Sequence, residues 1–89
     1  MATITIVLAG ASMYRVTVEE HGSRTVHHVH VTPSDANRYA PGVAPERLLQ
    51  VSFEFLLERE PKESILQRFE LPTIERYFPE YLGTIRDRL

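Results

Sequence analysis

At Val31 the hydrophobic period of this chain changes from two to nearer four, and that change divides the fold into two halves. Before it, Tyr14, Val16 and Val18 alternate with Arg15, Thr17 and Glu19, the pattern of a half-buried strand starting at Met13. After the turn residues His21, Gly22, Ser23 and Arg24, a second β-rich run covers residues 25–31. An antiparallel hairpin with a loop of about four residues is the natural connection. Burial sets the register: pairing Glu20 with Thr25 puts Val16 opposite Val29 and Tyr14 opposite Val31, joining the two apolar faces. His27 then lies on the buried face, and His28 and His30 on the other.

Beyond residue 31, prolines mark the joints. Pro33, Pro45, Pro61, Pro72 and Pro79 each precede a segment with helical spacing, whereas Pro41 and Gly42 link two helices. Proline suits a helix start because its missing N–H would have no partner there anyway. Thr32 and Asp35 form a short capping box at the first start. Residues 45–59 make the longest helix candidate, with Glu46, Gln50, Glu54 and Glu58 as a narrow wet stripe and Leu48, Leu49, Val51, Phe53, Phe55, Leu56 and Leu57 around the rest. Such a helix belongs at the centre. Ser52, inside that apolar surface, reads as a packing residue bonded back to its own helix. Ile65, Leu66 and Phe69, then Ile74, Tyr77 and Phe78, then Tyr81, Leu82, Ile85 and Leu89 supply the faces of three shorter helices.

The first twelve residues fit this plan least well. Thr3 and Thr5 alternate with Ile4 and Ile6 as in a strand, but Gly10 and Ser12 separate them from the pattern beginning at Met13. Residues 1–12 are therefore expected to be a flexible extension, with a third strand as the alternative. Their apolar run is too short for a membrane span and has no preceding Lys or Arg, so neither export nor insertion is expected. Residues 13–89 form one domain, without repeats or linkers.

Composition narrows the function. Ten Lys and Arg against twelve Asp and Glu give a net charge of -2, too little positive field to hold nucleic acid or an anionic membrane. Without cysteine there is no disulfide, thiolate nucleophile or Cys-type metal site, which fits a reducing cytoplasm. Glycines stand singly at positions 10, 22, 42 and 83, so no phosphate-cradling loop exists and no cofactor is expected. Glu54, Glu58, Glu60 and Glu63 gather near Pro61 but, interspersed with Arg59 and Lys62, read as a solvated surface. No catalytic constellation emerges, and the chain does not read as an enzyme.

The run HHVHV at residues 27–31 is the one group with a chemical look. His28 and His30 share one side of a strand, as zinc ligands sometimes do, with Glu19 diagonal to His28 in the register above. They are the candidate metal ligands, and protonation of the clustered imidazoles is a related route to pH sensing. The bland reading is a polar outer face. Aromatic side chains dominate binding hot spots, which makes Tyr77 and Tyr81 the candidate partner contacts. Their helical spacing with Ile74 and Ile85 also suits core packing, with only the hydroxyls reaching a rim.

The strand–turn–strand MYRVTVEEHGSRTVHHVHV, followed by SFEFLLEREPKESIL and RFELPTIERYFPEY, resembles a family of small bacterial proteins with no assigned activity. The resemblance covers residues 13–89, is most distinctive in FEFLLEREP and YFPEY, and implies a single-domain cytoplasmic protein without transferring any catalytic residue. The expected fold is α+β, an antiparallel hairpin packed on four or five short helices. A lone hairpin is marginal in water, so burial against the Pro45 helix, or edge pairing in a homodimer, must complete it. The expected function is a binding or regulatory accessory role through an unidentified protein partner. The alternative is metal or small-ligand binding through the hairpin histidines.

Overall fold

The computed structural model describes residues 2–89. It is an α+β fold with a four-stranded mixed sheet in the order β1-β2-β3-β4. Strands β1 (Thr3–Gly10), β2 (Met13–Glu20) and β3 (Ser23–His30) form an antiparallel meander. Helices α1 (Pro33–Tyr39) and α2 (Pro45–Leu57) follow. A single 3-10 turn at Lys62–Ser64 leads into β4 (Arg68–Glu70), and α3 (Thr73–Tyr77) and α4 (Tyr81–Arg88) close the chain. The short β4 lies parallel to β3, pairing His28 with Arg68 and His30 with Glu70.

The expected extension at residues 1–12 is instead mostly strand. Ile4 pairs with Val18 and Ile6 with Val16, and both isoleucines pack against the core. Ser12 takes a left-handed φ of 58° in the tight turn after β1, and its carbonyl accepts from the Val31 N–H at 2.8 Å. Those anchors are tertiary, which is why a local reading of Gly10 and Ser12 as a break misses them.

The hairpin is correctly placed but two residues out of register. Glu20 pairs with Ser23, Val16 with His27 and Tyr14 with Val29. A slip of two keeps every side chain on its face, so the apolar faces still meet and His27 is still buried. The cause is the turn. His21 and Gly22, at φ values of 56° and 76°, make a two-residue left-handed turn whose twist matches the strands. Histidine is among the few non-glycine residues enriched in that region.

Local signals fix the helices. Thr32 Oγ1 accepts from the Asp35 N–H at 3.0 Å while the Asp35 carboxylate accepts from the Thr32 N–H at 3.1 Å, completing the capping box. In α2, Leu48, Leu49, Val51, Phe53, Phe55 and Leu56 are buried, and the helix packs against β1, α1 and α4. The wet stripe of Glu46, Glu54 and Glu58 is exposed, as its spacing requires. The segment after Pro61 departs from expectation: Ile65 and Phe69 belong to an extended stretch rather than a helix. Edge pairing with β3, through bonds from the His28 N–H to the Gln67 carbonyl (2.7 Å) and from the Leu71 N–H to the His30 carbonyl (3.0 Å), overrides their helical spacing.

Candidate functional site

An apolar concavity lies where the C-terminal half folds back on α2. Pro61 ends the helical path, and the 3-10 turn closes with the Ser64 N–H on the Pro61 carbonyl at 2.9 Å. One wall is then the stretch Ile65 and Leu66 with Phe69 of β4. The other is α3, from which Ile74 and Tyr77 project. Leu56, Ile65 and Ile74 are buried at its base, and the cavity has a volume of about 420 Å³. Leu66 and Tyr77 stand at its rim, 47% and 67% exposed, among the few large apolar side chains that the fold leaves in water. Glu60 supplies the rim's carboxylate.

His27 secures the first wall. Its Nδ1 lies 2.8 Å from the Leu66 carbonyl, which can only accept, so Nδ1 carries the proton. The Thr25 hydroxyl, 2.8 Å from Nε2, then donates to the remaining lone pair. Burial pushes the His27 pKa below its ordinary value. The bond to Leu66 opposes that shift, and nearby His28 adds to it. The neutral imidazole thus bridges the sheet to the groove wall, while its ring tilts against Phe53 at 5.4 Å. Phe69 continues the stack, 6.3 Å from Phe53.

The opposite wall is held by charge and aromatic contacts. Tyr39 Oη donates to Glu75 Oε1 at 2.8 Å and Arg38 donates to the same oxygen at 3.1 Å. The tyrosine bond foremost, then the arginine, holds the Glu75 pKa below the usual carboxylate value. Phe78 meets Phe55 edge-on at 5.9 Å, and the Arg59 guanidinium lies 3.6 Å from the Phe55 ring centre.

The two tyrosines singled out from sequence separate completely. Tyr77 is exposed at the groove, as a contact residue must be. Tyr81 is fully buried and is corrected from a partner contact to a core residue. Its ring packs between Tyr39 and Phe55 at 5.3 and 5.4 Å. Ser52 Oγ donates to the Leu48 carbonyl at 2.7 Å, so the Tyr81 hydroxyl, 2.7 Å away, must donate to Ser52. Burial pushes the Tyr81 pKa well up, and its hydroxyl does not reach the surface.

The histidines on the other sheet face do not assemble a centre. His28 lies between Arg15 on β2 and Arg68 on β4, two cations that oppose a bound metal ion. His30 Nδ1 stands 3.9 Å from a Glu70 carboxylate oxygen. Glu19 pairs with Arg24, so the two-residue slip takes it away from His28. Among the described residues no group of three or more His, Asp or Glu side chains is placed to hold a metal. The residue that sequence reasoning missed is Leu66. Its assignment to a helix face concealed that an extended backbone would expose it. Comparison with family models, with curated proteins and with solved structures finds no match, so the groove is interpreted through its own chemistry.

Proposed function

We propose that this chain is a small accessory protein that binds another protein by receiving an apolar side chain in the groove between the β4 segment and α3. One observation carries the reading: Leu66 and Tyr77 remain exposed beside a concavity with a base of buried aliphatic side chains. Burying large apolar groups around a shaped recess is what an interface centre requires, and tyrosine suits it through a large ring of low conformational entropy with a polar tip. Glu60 at the rim favours a partner segment that carries a Lys or Arg beside its apolar anchor. The cysteine-free composition fits action in a reducing cytoplasm.

A photo-crosslinking amino acid at Tyr77, with the same group at exposed Asn37 as a control, tests the reading in cells. A partner captured from position 77 alone, whose purified form loses at least tenfold in affinity for the Tyr77→Asp and Leu66→Asp variants, supports it. Equal capture from both positions, or unchanged affinity in both variants, overturns it.

A further inference from the structure

The sheet has a second unsatisfied feature, at the edge away from the groove. Strand β1 is an edge strand of eight residues with neither proline nor charge; the first charged residue of the chain is Arg15. Proteins ordinarily blunt such edges with lysines, prolines or brevity, since an open row of N–H and C=O groups invites a further strand. The opposite edge is treated that way: β4 has three residues, two of them the exposed charges Arg68 and Glu70.

The direction of the open backbone groups follows from bonds elsewhere in the sheet. The His28 N–H and the His30 carbonyl point toward β4, so their neighbours His27 and Val29 pair through hydrogen bonds with Val16 and Tyr14 of β2. By the same alternation Arg15, Thr17 and Glu19 turn toward β1 and bond Val7, Thr5 and Thr3. Ile4, Ile6 and Leu8 are left with backbone N–H and C=O groups directed outward. Their side chains share the helix-bearing side of the sheet, where Leu8 is nevertheless 56% exposed.

We propose that β1 pairs antiparallel with β1 of a second copy of this chain, about a two-fold axis at Ile6, making one continuous eight-stranded sheet from two four-stranded ones. The strand is its own complement. Ile6 meets Ile6 of the partner subunit, and Ile4 meets Leu8 of the partner subunit on either side, so every outward backbone group of these three residues finds a partner. The exposed Leu8 gains an apolar neighbour on the face it already occupies. On the other face Thr5 lies opposite Val7 of the partner subunit, and no charge on either strand opposes the pairing. A charged or proline-bearing segment from another protein would match this edge less well than the strand itself does.

The dimer concerns the edge far from the groove in strand order and stands apart from the docking function. Sedimentation equilibrium of the whole chain at micromolar concentrations, with variants on the exposed face of β1, tests it. The wild-type protein is expected at twice the 10.3 kDa of one chain. The Thr5→Lys/Val7→Lys and Thr5→Glu/Val7→Glu double variants, which set like charges opposite each other, are each expected at one chain mass with unchanged circular dichroism. Mixed in equal amounts, they are expected to recover the doubled mass as a heterodimer. A monomeric wild type overturns the inference, as does a lysine or glutamate variant that stays dimeric. Two unfolded variants that fail to recover a folded dimer on mixing, beside a dimeric wild type, also overturn it, because the pairing requires opposite charges at these positions to complement.

Discussion

The two edges of the sheet are built by opposite means. Strand β1 is long, uncharged and joined to its neighbour by a tight turn, whereas β4 is three residues long, charged, and reaches β3 only after two helices and a 3-10 turn. Backbone pairing with a sequence neighbour holds β1. The β4 edge instead depends on distant anchors, His27 on Leu66 and the paired bonds of His28 and His30. The contrast shows why the groove lies beside β4: an edge held at a few points leaves a concavity between its anchors, while a continuous ladder leaves a flat margin that only another strand fits.

The largest expected effect comes from the helix on which the fold is centred. Phe53→Ala, which removes a fully buried ring touching both His27 and Phe69, should cost about 3–5 kcal/mol in urea unfolding. It should loosen the β4 side most, which native-state hydrogen exchange resolves. Ser52→Ala leaves the buried Tyr81 hydroxyl without its acceptor and should cost about 1–3 kcal/mol. Tyr81→Phe, which removes donor and obligation together, should cost less.

His27 gives a test specific to the β4 edge. Because its folded pKa lies below the ordinary 6.5, the unfolded chain takes up a proton that the folded one resists. Its contribution is therefore present above pH 6.5 and is lost progressively as the pH falls from 6.5 toward the lowered folded value. His27→Gln should flatten that part of the stability profile while leaving the loss below the ordinary carboxylate value of 4.5, where Glu75 takes up its proton. A wild-type profile flat between those limits would remove the assigned role.

Smaller effects belong to the surface. Tyr77→Ser should change stability by no more than about 0.5 kcal/mol, since the side chain is largely in water, while weakening the proposed partner's binding at least tenfold. Zinc titration should show the smallest difference of all, with the His28→Ala/His30→Ala variant indistinguishable from wild type. A saturable site lost in that variant would restore the metal reading.

Where a structural feature rests on neighbouring residues, it was legible in the sequence. The capping box at Thr32 and Asp35, the central helix with its wet stripe, the return of Ser52 to its own helix and the burial of His27 all follow from spacing. Features set by backbone pairing between strands were not legible. Nothing near Thr3 announces that Glu19 will pair with it, and Phe69 carries helical spacing until β3 claims its backbone. The register erred by two because His–Gly is a less familiar left-handed turn than Asn–Gly, an error that preserves the faces and so leaves no trace in the hydrophobic pattern. The tyrosines teach the same lesson at the site: both sit at helical intervals from an isoleucine, and only the packing of α4 on α2 decides that Tyr81 is buried and Tyr77 exposed.

Residue-resolved amide exchange, recorded by NMR at high and low protein concentration, bears most directly on the difference between the edges. The His28 and Leu71 amides should be slow at both concentrations, because their acceptors lie within the chain. The Ile4, Ile6 and Leu8 amides should be as slow as those of Thr5 and Val7 when concentrated and should quicken on dilution. Fast exchange of Ile4, Ile6 and Leu8 at every concentration, or a concentration-dependent change at His28 and Leu71 instead, would contradict it.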